Sequence, residues 1–195
     1  MLMKQTHSTA FVICILFIFT TFGICHATDK AVGSQGDLDT HYEQAKFFYN
    51  QLKTNESLGA SRENWLKGSA NFRRIYLAEP KSELAPACLF MLGKLYSDMY
   101  QSFGKGIDLG ESISYYRDVG SLFPRHRLAD DAYFAVGSIL LDEVKDPKRA
   151  AKSFSKIVAD YPDGDMHSLA ETKLKVLSKD FYILLTNIMI RNSQQ

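Results

Sequence analysis

Apolar residues recur at steps of three and four along most of this chain. Only short alternations of the kind a half-buried strand needs occur anywhere, so the pattern predicts an all-α fold. A first helix is expected over Asp37–Leu52, where Tyr42, Ala45, Tyr49 and Leu52 share one face, and Thr54 to Gly59 breaks it. Ser61 reads as an N-cap for a helix that carries Trp65, Phe72, Ile75 and Tyr76 and stops at Glu79-Pro80, because a residue before proline is pushed out of helical geometry. Leu84 to Tyr100 follows with Leu89, Leu92 and Tyr96 on one side, and Gly93 among them where a neighbour can approach closely. Gly104 and Gly106 predict a loop over Gln101 to Asp108, before a helix over Ser112–Leu122 that turns Ile113, Tyr116 and Val119 inward. Leu128 to Val144 places Tyr133, Val136 and Leu140 along a stripe, with Gly137 standing as Gly93 does. Asp146 as N-cap and Pro147 at the first helical position start the next helix, which carries Ala150, Phe154 and Ile157 and closes at Tyr161-Pro162. Ser168 to Ser178 is the last amphipathic stretch, with Leu169, Leu174 and Leu177.

Three of these helices end in one pattern: an aromatic, an aliphatic three residues on, and a proline five beyond that. Phe72, Ile75 and Pro80 make the first copy, Tyr116, Val119 and Pro124 the second, and Phe154, Ile157 and Pro162 the third. The copies are 44 and 38 residues apart, measured between prolines. A helix pair of this kind leaves an apolar flank exposed, and stacked neighbours bury it, so the pattern predicts a repeat protein.

The pattern resembles the tetratricopeptide repeat (TPR), whose period is about 34 residues. With Gly93 and Gly137 at the family's small position, Leu89, Leu92, Gly93 and Tyr96 resemble the first-helix signature, and Tyr133, Val136, Gly137 and Leu140 do so less closely. Ala150, Phe154, Ile157 and Pro162 resemble the second-helix signature, while Ser112, Tyr116, Val119 and Pro124 depart from it at Ser112. The excess length of the first of these units is assigned to the loop Gln101 to Asp108. What the resemblance implies is a short right-handed α-solenoid of about three and a half helix pairs. A closer resemblance covers Trp65 to Met166. Its words "YPDGDM", "DPKRAAKSF" and "FPRHRLADDAYF", with the helix start Asn64-Trp65, look like the TPR-bearing, non-catalytic N-terminal region of periplasmic N-acetylmuramoyl-L-alanine amidases. Outer-membrane assembly lipoproteins and the Tol-Pal coordinator protein look similar at the same level.

At the N-terminus, Lys4 precedes the uncharged run Ala10–Cys25, and Ala27 ends it, which is the layout of a secretory signal peptide. The run is 16 residues long, against roughly 20 for a spanning helix. Cleavage after Ala27 is expected, with export to the periplasm; the competing reading is an uncleaved anchor. The expected organisation is a signal over 1–27, a flexible leader over 28–36, a TPR-like domain over 37–178, and a C-terminal apolar helix and tail over 179–195. The tail's stretch FYILLTNIMI, residues 181–190, would measure about 15 Å as a helix and cannot cross a hydrocarbon core of roughly 30 Å. Either it packs on the last repeat, or it makes a dimer contact, or it leads into further sequence.

Composition narrows the function. After residue 27 the chain has 22 basic and 22 acidic residues, mixed rather than blocked, so no footprint for nucleic acid or anionic lipid appears. Beyond the signal only Cys88 remains, and no internal disulfide can form. His41, His126 and His167 are far apart and lack metal-ligand spacing, and no nucleophile elbow, phosphate loop or cysteine pair occurs. Asp163-Gly164-Asp165 lacks the remaining ligands of a calcium loop and reads as a turn. The expectation is therefore a protein that is not an enzyme, with no cofactor, no metal, and no small-molecule or nucleic-acid partner.

The leading expectation is a protein-protein interaction scaffold of the cell envelope that holds a peptide or protein in its groove. The alternative is a targeting or regulatory portion of a peptidoglycan amidase, truncated or split from its catalytic chain, or an outer-membrane assembly component. The resemblance implies groove positions at Ala87, Phe90, Lys94 and Ser97 in one unit and Asp131, Phe134, Ser138 and Leu141 in the next. Phe90, Lys94, Asp131, Phe134 and Ser138 are the candidate contacts, with the two phenylalanines as anchors and Lys94 available to a carboxylate. The competing reading is that Phe90 and Phe134 only pack against adjacent helices.

Overall fold

Prolines and single caps divide the helices. The computed structural model describes residues 35–179, and within them every regular element is a helix. The expected signal peptide and most of the leader lie outside the described residues, as does the apolar stretch 181–190. In order the helices are α1 Gln35–Thr54, α2 Glu56–Gly59, α3 Arg62–Ala78, α4 Ala85–Phe103, α5 Gly106–Leu122, α6 Ala129–Asp142 and α7 Pro147–Asp160. A last helix, α8, runs over 167–179. From α3 to α7 each packs on the next, and α1 packs on α3 across the short α2.

The three proline turns are copies of one structure. After α3, the Ser82 N–H donates to the Glu79 carbonyl and the Ala85 N–H to the Ser82 carbonyl, both at 3.1 Å. After α5, His126 bonds Phe123 and Ala129 bonds His126, both at 2.9 Å, and after α7, Gly164 bonds Tyr161 at 3.0 Å and His167 bonds Gly164 at 3.2 Å. In all three the residue before the proline donates its N–H back to the helix, to Ile75, Val119 and Ile157 respectively. Asp163-Gly164-Asp165 lies in the third turn, as its spacing predicted.

The expected loop over Gln101 to Asp108 is absent. Helix α4 continues to Phe103 and α5 begins at Gly106, leaving Gly104 and Lys105 between them. Gly104 alone makes the break: its φ of 65° is the left-handed conformation that ends a helix, and its N–H bonds the Tyr100 carbonyl. Gly106 is simply the first residue of α5, so the unit's extra length goes into two longer helices.

The break after α1 is also helical. Asn55 accepts the Leu58 N–H at 3.0 Å to start α2, and the Trp65 indole N–H and the Asn64 amide then tie α2 to α3 through the Gly59 and Leu58 carbonyls. Ser61 stands at the N-cap of α3 without a side-chain hydrogen bond, whereas Asp146 caps α7 as expected by accepting the Arg149 N–H at 3.0 Å.

The core matches the predicted stripes, with Phe72, Leu92, Val119, Phe154 and Ile157 fully buried. Leu169 is a correction. It is 45% exposed, and the inner face of α8 is made instead by buried Ala170 with Leu174 and Leu177 packed beside it. Ser112, which departs from the TPR pattern, is fully buried and donates to the Gly93 carbonyl at 2.7 Å, so it joins α5 to α4 where Ala150 makes only an apolar contact in the next unit.

Candidate functional site

One local arrangement occurs three times. Phe90 on α4 meets the Tyr116 ring of α5 edge-on at 5.1 Å, and Phe134 on α6 meets the Phe154 ring of α7 at 5.4 Å. Three residues after each phenylalanine comes a glycine, Gly93 or Gly137, over which that same paired ring lies. Upstream, Tyr42 on α1 meets Phe72 of α3 edge-on at 5.9 Å, with buried Ala45 three residues later. Tyr42, Phe90 and Phe134 therefore occupy one position in three helix pairs.

That row holds the candidate contacts. Phe90, Lys94, Phe134 and Ser138 are all half-buried, and so are the flanking Ala87, Ser97 and Leu141. The two phenylalanines do pack on adjacent helices, while each keeps part of its surface outward. Lys94 and Lys46 share a register four residues after their aromatics. Lys46 lies 5.4 Å from the Tyr42 ring centre and pairs with Glu43 at 3.0 Å, whereas Lys94 has no ion pair among the described residues. Burial pushes the Tyr42 phenol up to about 12, against the opposing charge of Arg127. The same guanidinium opposes a rise at Asp131, so it lies within electrostatic reach of both Tyr42 and Asp131.

Asp131 belongs to a second feature that the sequence did not connect. Carboxylate oxygens of Asp130, Asp131 and Asp165 lie within 4.8 Å of one another, beside a cleft of about 590 Å³ between the second and third proline turns. Asp130 is buried and accepts the Met166 N–H at 3.3 Å, which fixes the start of α8. A β-carbon on Gly164 would collide with that same carboxylate, so a larger residue here would have to displace the Asp130 side chain. Burial, then Asp165 and then Asp130, raise the Asp131 carboxyl above its ordinary value. Arg125, Arg127 and His126 border the cleft from the other side, and the acids act here as turn and helix-start residues.

Two more polar groupings hold helices together. Arg73 of α3 donates to the Tyr96 hydroxyl at 3.0 Å and the Tyr115 hydroxyl at 2.9 Å, under rings stacked 5.6 Å apart. The Tyr49 hydroxyl donates to Asp98, which also faces Lys53 at 3.7 Å. Cys88 is fully buried, and burial pushes its thiol up to about 12, so it is packing and not a nucleophile.

Sequence reasoning missed Tyr42 as the first member of the row. The signal was present, since Tyr42 and Ala45 share the three-residue step of Phe90 and Gly93. The interval hid it: Tyr42 to Phe72 is 30 residues, Phe90 to Tyr116 is 26, and Phe134 to Phe154 is 20. Known proteins add no identity here: no family model and no curated protein matches this chain.

Proposed function

We propose that the chain is a non-enzymatic interaction scaffold of the cell envelope, built of TPR-like helix pairs, which holds an extended peptide or protein segment along the row Tyr42, Phe90 and Phe134. The observation that carries this is the thrice-repeated aromatic contact. In each pair the inner aromatic lies in the core, and the outer one packs against it while keeping part of its own surface exposed. Regularly spaced, half-desolvated aromatics are the kind of anchor that dominates interfaces. Lys94, which has no ion pair among the described residues, suits a carboxylate on the bound segment. The envelope location rests on the signal-like N-terminus.

The test is recovery of a partner from envelope extract by the exported chain. Phe90→Ala with Phe134→Ala should abolish recovery at unchanged helical content, and Lys94→Glu, which leaves the aromatic packing intact, should weaken it. Full recovery by both variants would reject the row.

A further inference from the structure

One backbone amide is treated differently in each of the three proline turns. Leu84, Leu128 and Met166 stand at the same position, two residues after Ser82, His126 and Gly164. In the third turn Gly164 has no side chain to offer, and the Met166 N–H donates instead to the Asp130 carboxylate at 3.3 Å. In the first, the Ser82 hydroxyl makes no hydrogen bond among the described residues and so does not take the Leu84 N–H. In the second, the Leu128 N–H donates to Nδ1 of the His126 imidazole at 3.2 Å. Only this turn of the three has its amide held by a side chain that titrates near neutral pH.

A ring nitrogen accepts such a bond only while it carries no proton. The contact therefore requires a neutral imidazole with its proton on Nε2, and protonation would set one donor against another. His126 also lies three residues ahead of Ala129, the first residue of α6, where the positive end of the helix disfavours a further positive charge. Burial, and then the Arg127 guanidinium, hold the ring below its ordinary value, and Arg125 borders the same cleft. The acids across the cleft do not reverse this balance. Asp130 is engaged with Met166, Asp160 pairs with Lys156 at 2.7 Å, and burial and Asp165 raise Asp131 toward its own neutral form. Asp163 and Asp165 are exposed, where solvent and salt screen them, and burial raises the Tyr161 phenol, which stays uncharged.

We propose that His126 is a pH-operated latch on the start of α6: the neutral ring ties Leu128 into the second proline turn, and the protonated ring releases it. The consequence reaches beyond the turn. Helix α6 opens with buried Asp130, which fixes the start of α8, and carries Phe134 one turn further on. Acid therefore loosens the start of α6 against α5, while the first turn, where Ser82 does not titrate, stays closed. The latch's contribution to stability is whole above the unfolded histidine value and is lost as pH falls from there through the lower folded value. The latch itself does not rest on the aromatic row; only a resulting change in partner binding would.

Amide hydrogen exchange of the exported chain tests it, with rates corrected for the intrinsic effect of pH. Between about pH 7.5 and about pH 5, Leu128 should lose protection on the order of fivefold, the worth of one hydrogen bond. Ala85, which donates to the Ser82 carbonyl in the first turn, should keep its protection. His126→Asn places an amide oxygen, which does not titrate, as many bonds from the backbone as Nδ1, and should keep Leu128 protected at both pH values. Nitrogen NMR of the wild-type ring gives a second reading, with the proton on Nε2 at neutral pH and a midpoint below about 6.5. Four outcomes overturn the proposal: Leu128 protection that does not change with pH, an equal loss at Ala85, an equal loss in His126→Asn, or a ring that carries its neutral-pH proton on Nδ1.

Discussion

The Tyr116 ring occupies the space a side chain on Gly93 would need, with its Cδ1 and Cγ 2.8 Å from where a β-carbon would stand. In an exposed helix interior, glycine to alanine stabilises by up to about 1 kcal/mol. Here the added methyl meets a buried ring that Phe90 also packs against edge-on, so overpacking should win. Gly93→Ala is expected to cost about 1–3 kcal/mol net. The measurement is a lower urea midpoint at unchanged slope, and Gly137→Ala, under the Phe154 ring, should behave alike. A rise in midpoint for either would sink the account.

Arg62 and Asp108 couple the starts of α3 and α5. The Asp108 side chain is 1% exposed, and the Arg62 guanidinium donates to both its oxygens. Removing the arginine leaves a buried carboxylate unpaired, so Arg62→Met should destabilise more than any of the exposed i,i+4 pairs, such as Lys67–Glu63. Adding Asp108→Asn should recover most of that loss. Additive effects in this double-mutant cycle would show that the pair does not act as a unit.

What was legible in the sequence followed from steric and periodic rules. Pro80, Pro124 and Pro162 end helices because proline cannot continue one, and the aromatic and aliphatic residues before them face inward because burial selects that stripe. What was not legible depended on which of two signals wins. Gly104 and Gly106 both read as breakers, yet only Gly104 adopts a positive φ, and the hydrophobic contacts of Met99 and Leu109 carry both helices almost to it. Tyr42 was hidden by the extra turn α2, since no fixed period survives an insertion inside a helix pair. Asp130, Asp131 and Asp165 are adjacent only because two turns stack, a long-range consequence of packing.

Ser82 occupies the place of His126 and Gly164 in the first proline turn, and its buried hydroxyl has no hydrogen-bond partner among the described residues. An unpaired buried hydroxyl costs about 1–3 kcal/mol relative to water. Ser82→Ala should therefore be neutral or raise stability by up to about 1 kcal/mol. Thermal unfolding checks it, and a clear loss would mean that the hydroxyl is satisfied.

Asp131 sets the sign of one pH dependence. Burial and the neighbouring Asp165 and Asp130 raise its folded-state value above that of the unfolded chain, while Arg127 partly opposes them. Between the two values the folded state binds more protons, so this group's contribution to stability falls as pH rises through that window and stays lost above it. Asp131→Asn should then stabilise the chain at neutral pH, and its advantage should shrink as the pH drops below the unfolded carboxylate value, where the aspartate is protonated in both states. Unfolding midpoints of wild type and variant across that range make the comparison. Equal midpoints at neutral pH, or an advantage that grows toward acid, would show that burial and the neighbouring carboxylates do not disfavour the charged Asp131 in the folded chain.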